Sequence, residues 1–182
     1  MIPVEIKKIS YHPSTRSYAV ILNEIDGKRF LPVIVGSFEA QSIALAIELT
    51  NTPRPLTHDL ICNMINSLKL KLKTVKISNL SDGVFYAIIE LFSDQLGEIK
   101  VDSRPSDAIA VALRLNSPIL VSEKVMNDGG ITDVDYINQS FKNEKTNISL
   151  LNNLKKRLEE AIEQEEYERA ARLRDKITEM GS

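Results

Sequence analysis

Acidic residues and arginines in this chain gather where helices are expected to begin. PRPLTHDL at residues 53–60 sets Arg54 ahead of Thr57, His58 and Asp59, and SRPSDAIA at 103–110 repeats the arrangement with Arg104, Ser106 and Asp107. Ser37 and Glu39 open a third such stretch, and Asp102 lies two residues before Arg104. Convergent carboxylates of this kind hold divalent cations such as magnesium or manganese, and arginines beside them grip a phosphate; together they cleave phosphodiesters. That chemistry needs Glu39, Asp59, Asp102 and Asp107 to meet as metal ligands or bases. Arg54 and Arg104 would be the phosphate clamps, and His58 a candidate general base.

The same residues also have a plainer reading. Ser37, Thr57 and Ser106 are expected to cap free backbone N–H groups at about 1 kcal/mol each, with Glu39, Asp59 and Asp107 complementing the positive helix ends. Capping leaves the two arginines unexplained, because a cation beside a helix amino terminus needs an anion. That anion is either internal, among Glu39, Asp59, Asp102 and Asp107, or an external phosphate. His58 and Asp59 are neighbours in a helix and do not face each other, so a surface or capping role stands beside general-base duty for His58. His12 sits before Pro13 and reads as a turn residue, and Cys62 as a small core residue.

Composition removes whole classes. With 23 Lys and Arg against 25 Asp and Glu, no bulk basic surface is available for nucleic acid, so a nucleic-acid partner must be met by a local site. One cysteine and two histidines allow no intrachain disulfide and no single-chain Cys/His zinc site. P-loop, dinucleotide, GxSxG and HExxH motifs are missing from the sequence. The opening MIPVEIKKIS lacks a signal-peptide core, and no apolar run nears the roughly 20 residues of a membrane span; a cytoplasmic protein without membrane contact is expected.

The elements that must position these groups read as α+β. Apolar and polar residues alternate around Val4–Ile6, 70–77 and 99–101, predicting half-buried strands, while Asp26-Gly27 and Asp82-Gly83 sit where hairpin turns belong. Pro32 places its strand at a sheet edge or a bulge. Helices are predicted over about 37–49, 58–68 and 107–115, the second with Leu60, Ile61, Met64, Ile65 and Leu68 on one face. The order βββαα-βββ-αβ implies a mixed, largely antiparallel sheet with three helices. Residues 1–127 form this domain, the polar segment 128–146 a linker, and 147–182 a helical interaction element. In that last stretch Leu151, Leu154, Leu158 and Ile162 recur at spacings of three and four. One long helix and a hairpin both fit that spacing.

LPVIVGSFEAQSIALAIE, PRPLTHDL, DGVFYAIIEL, VDSRPSDAIAVALR and PILVSEKVM, in that order, resemble successive motifs of the bifunctional nuclease family. The resemblance implies an α+β domain, often a dimer and so a homo-oligomer, with cleavage of RNA and DNA reported for some members. Positions matching its strongest motifs are Glu39, Arg54, Thr57, His58, Asp59, Asp102, Arg104, Ser106 and Asp107. The tail LKKRLEEAIEQEEYERAARLRDKI resembles the UVR domain of excision-repair nuclease subunits and Clp adaptors. That likeness implies an α-helical hairpin docking a protein partner. The expectation is a metal-assisted nuclease with an interaction tail; the rival is a non-catalytic regulator of a repair or proteolysis complex.

Overall fold

Alternation and two Asp-Gly turns build most of the sheet. A first meander joins β1 (Ile2–His12), β2 (Ser17–Glu24) and β3 (Phe30–Val35); a second joins β4 (Lys71–Ser81), β5 (Val84–Ser93) and β6 (Gly97–Ser103). All four pairings within the meanders are antiparallel. Asp82 and Gly83 both take positive φ, 52° and 76°, the backbone a two-residue hairpin between β4 and β5 requires. The short β7 (Ile119–Val121) fills the gap between the meanders, antiparallel to β1 and parallel to β4. The sheet order is thus β3-β2-β1-β7-β4-β5-β6. Pro32 lies on β3, at the sheet edge, where its missing N–H costs no ladder bond.

This computed structural model describes residues 1–12, 16–50 and 52–132, with the single helical positions Lys156, Leu158 and Arg174 beyond. The chain divides into two compact units, Met1–Val134 and Asp135–Ser182. The helical hairpin expected over 147–182 lies outside the described residues. Among those residues, no helix is long and apolar enough to cross a membrane.

The predicted helices are α1 (Ser37–Ile47), α2 (Thr57–Ser67) and α3 (Pro105–Arg114). None contains a glycine stop. Each instead ends through a non-glycine residue in left-handed backbone, Leu49, Lys69 and Asn116, while the following N–H of Thr50, Leu70 and Ser117 reaches back to the carbonyls of Leu45, Ile65 and Ala112. A fourth helix, α4 (Glu123–Gly129), is absent from the sequence reading, which begins a linker at residue 128. Seven residues are too few to display a 3.6-residue period. Ser122 caps it, accepting from Val125 N–H at 3.1 Å. Past it, Ile131 exchanges backbone hydrogen bonds with Phe30 at 2.7 and 2.8 Å. Arg29 ties the first meander to α4 by donating to Glu24, Glu123 and Asn127.

The centre of the core is α3. Ala108 through Ala112 are all fully buried, and the alternating alanines let α1, α2 and the sheet approach closely while Ile109 and Val111 each contribute about 1.5–3 kcal/mol of burial. The predicted apolar face of α2 is only partly covered. Cys62 and Ile65 are buried, whereas Leu60, Met64 and Leu68 remain exposed.

Candidate functional site

Packing α3 against both α1 and α2 brings the starts of all three helices around one cleft of about 820 Å³. Glu39 and Ser42 reach it from α1, His58 from α2, and Arg104 and Asp107 from the start of α3; Phe38 lies exposed at its border. Glu39 and Ser42 are three residues apart and so share a helix face.

Arg104 is the hub. Its Nε donates to Asp107 Oδ2 at 2.7 Å and its Nη2 to Asp107 Oδ1 at 3.0 Å, a bidentate grip, while Nη1 donates to Glu39 Oε1 at 3.1 Å. His58 Nε2 lies 3.1 Å from the same Asp107 Oδ1, and its Nδ1 lies 2.8 Å from Ser42 Oγ. One hydrogen-bonded line therefore runs from Glu39 through Arg104, Asp107 and His58 to Ser42. The partner of His58 is not its neighbour Asp59 but a carboxylate 49 residues away.

The hydroxyls do not cap these helices. The N-cap positions are Gly36, Leu56 and Arg104, none with a side-chain cap bond; Ser37, Thr57 and Ser106 already lie inside the first turn. The carboxylate Asp59 does the work at α2, accepting from Leu56 N–H at 2.8 Å.

A second cluster stands at the other end of α3. Arg114 Nε donates to Asp59 Oδ1 at 2.6 Å, and its Nη1 donates to the carbonyls of Ser42 and Ala110 at 3.1 and 3.0 Å. Asp59 is thus taken up away from the cleft. Asp102 lies on the exposed edge strand β6. Arg54 is exposed and forms no ion pair among the described residues, although its echo Arg104 forms two. Of the seven residues singled out in the sequence, Glu39, His58, Arg104 and Asp107 meet; Arg54, Asp59 and Asp102 do not join them.

The electrostatics follow from these contacts. Burial pushes the Asp107 carboxyl up, yet the hydrogen bonds from Arg104 and His58 outweigh it and hold it below the usual range. Arg114 does the same for Asp59, helped by the Leu56 N–H, and Asp107 raises Arg104 further above its ordinary value. Burial pushes the Cys62 thiol up, which suits a core residue and not a nucleophile.

The residues present do not fit the divalent cation the sequence suggests. Among the described residues no three His, Cys, Asp or Glu side chains gather as a metal site. Within the cleft the guanidinium of Arg104 bridges Glu39 and Asp107, so the two carboxylates already share a cation.

One member of the cleft, Ser42, and the arginine at the other end of α3, Arg114, escaped sequence reasoning. Ser42 is hidden within an otherwise apolar helical run, and its only signal is a hydroxyl at i+3 from Glu39. Arg114 had a clearer one, a cation in the last turn of a helix, where the dipole favours it.

Residues 20–133 match the family model of the bifunctional nuclease domain, and residues 148–181 match that of the UvrB/UvrC motif. An uncharacterized protein of Mycobacterium tuberculosis is 46% identical over 112 residues, covering 62% of this chain and 66% of its own. Bifunctional nuclease 2 of Oryza sativa subsp. japonica is 31% identical over 122 residues, 64% of this chain and 37% of the relative. Bifunctional nuclease 2 of Arabidopsis thaliana is 25% identical over 182 residues, 87% of this chain and 54% of the relative. The chain therefore spans less than two thirds of the length of each of these relatives.

Proposed function

Because this chain belongs to the bifunctional nuclease domain family, we propose that the cleft at the helix starts cleaves phosphodiester bonds of nucleic acid. The observation that carries the reading is the convergence of Arg104, His58, Asp107 and Glu39 from three separate helices. Arg104 engages three of its five N–H groups with carboxylates among the described residues, which leaves two for a phosphate oxygen. Phe38 offers the ring on which a base stacks, a contact that every nucleobase can make. Asp107 orients the His58 ring, and the ring moves the proton. Asp59 and Asp102 have no part in this step.

The test is cleavage of labelled single- and double-stranded DNA and RNA by the full chain, with magnesium, with manganese and with chelator, beside His58→Ala and Arg104→Ala variants checked for folding. Cleavage lost in both folded variants supports the reading. Equal cleavage by all three proteins sinks it.

The UvrB/UvrC motif at residues 148–181 supports a second role, docking of a protein partner. Aspartate in place of Leu158, within the apolar series of the tail, is expected to abolish that docking and leave cleavage unchanged.

A further inference from the structure

Both nitrogens of the His58 ring are occupied, and this limits what the ring can do. The Asp107 carboxylate accepts hydrogen bonds and donates none, so the ring nitrogen facing it, Nε2, carries a proton. In the neutral ring Nδ1 is then a lone pair, and the Ser42 hydroxyl 2.8 Å away is its donor. A base whose lone pair points at a serine hydroxyl is placed to take the proton of that hydroxyl. Ser42 lines the cleft, and α1 fixes its position: Arg114 holds its backbone carbonyl from behind at 3.1 Å. Arg104 lies on the far side of Asp107 in the same cleft, with two N–H groups left for a phosphate. The order carboxylate, imidazole, hydroxyl is the arrangement that activates serine nucleophiles, here with the ring turned so that Nδ1 meets the hydroxyl.

We propose that Ser42 is the nucleophile of the cleft, acting through a covalent phosphoserine on phosphodiester substrates; the substrate class rests on the nuclease reading above. Ser42 Oγ attacks phosphorus and passes its proton to His58 Nδ1. The bond from phosphorus to the leaving oxygen breaks, and that oxygen takes the proton from Nδ1. Water then attacks the phosphoserine and gives a proton to Nδ1, the Oγ–P bond breaks, and Ser42 Oγ recovers the proton. One water is consumed and one P–O bond is hydrolysed. The two free N–H groups of Arg104 meet the charge that builds on the non-bridging oxygens.

Diisopropyl fluorophosphate tests the nucleophile without any nucleic acid, since attack by Ser42 forms an Oγ–P bond and releases fluoride with the hydroxyl proton. The full chain is treated beside Ser42→Ala and His58→Gln, each checked for folding by circular dichroism, and the adduct is located by peptide mass mapping. The expected result is one adduct on Ser42, none in Ser42→Ala, and labelling slowed by more than about 100-fold in folded His58→Gln. A folded chain that takes up no label at Ser42, or that labels equally fast without His58, overturns the proposal. Cleavage of nucleic acid by folded Ser42→Ala at the wild-type rate overturns it too. Labelling at Ser42 in a protein that cleaves no nucleic acid supports the nucleophile and removes the nuclease reading instead.

Discussion

The two ends of α3 each carry an arginine held by carboxylates, and the two are built for opposite purposes. The Arg114 side chain is 10% exposed, stands at the carboxyl end where the helix dipole welcomes a cation, and spends its donors on Asp59 and on two backbone carbonyls. The Arg104 side chain is 65% exposed, stands at the amino end against the dipole, and faces an open cleft. Its position is held by Asp107 and Glu39 despite the dipole. A cation kept where the backbone disfavours it, with donors to spare, is the end proposed above to meet a ligand; the other end is a clasp joining α1, α2 and α3.

The sharpest way to break that contrast is to remove the clasp. Arg114→Ala leaves Asp59 with the Leu56 N–H alone and removes the side-chain donor from the carbonyl of Ser42, and is expected to cost about 3 kcal/mol of stability. Urea titration followed by circular dichroism measures it; a midpoint unchanged from wild type would make Arg114 no clasp at all. Arg104→Ala is next. An exposed ion pair contributes little to folding, so its loss is expected to shift stability by less than about 1 kcal/mol and to lower cleavage by about 100-fold. Arg104→Lys restores the charge without the fork and should recover little. A stability loss equal to that of Arg114→Ala would erase the distinction.

Acid acts on both ends, since Asp59 and Asp107 are both held low, and a substitution singles out the clasp. Asp59 titrates below its ordinary 3.8, so its contribution is complete above that value and is lost as pH falls through the lower folded value. Thermal unfolding of the wild type should therefore drop below about pH 4, and Asp59→Asn should show a lower plateau and a shallower acid drop. Smallest of all is Arg54→Ala. With no ion pair among the described residues, Arg54 should change stability by less than about 0.5 kcal/mol and leave cleavage as it was.

Arg54 also shows where reading the sequence succeeded and where it failed. Period-two alternation and the Asp-Gly turns are local signals, and through them the order βββαα-βββ-αβ was legible as far as β7, with α4 missed. Glu39, His58, Arg104 and Asp107 were legible as well, since chemistry-bearing residues at helix starts stand out from an apolar run. Their pairing was not. The echo between PRPLTHDL and SRPSDAIA suggested equivalent arginines, but which carboxylate an arginine reaches depends on how helices pack, and α3 carries Arg104 to Glu39 across 65 residues of chain. The hydroxyl caps failed for a local reason: each helix starts at or one residue before its hydroxyl, so that a glycine, a leucine and an arginine take the cap positions. The exposure of Leu60, Met64 and Leu68 was not legible for a tertiary reason, because periodicity reports an apolar stripe and not what covers it.

The three residues of β7 hold a position out of proportion to their number. The strands β1 to β3 and β4 to β6 each form a meander, but the described sheet contains no ladder between the two sets except through Ile119, Leu120 and Val121. Without those three residues the inner edges of the meanders, β1 and β4, would face each other with their ladder groups unpaired. The segment that supplies them follows α3 directly in the chain, and α3 is the helix that brings Arg104 and Asp107 to the cleft. Continuity of the sheet and placement of the cleft residues are thus tied to one stretch, residues 105–121.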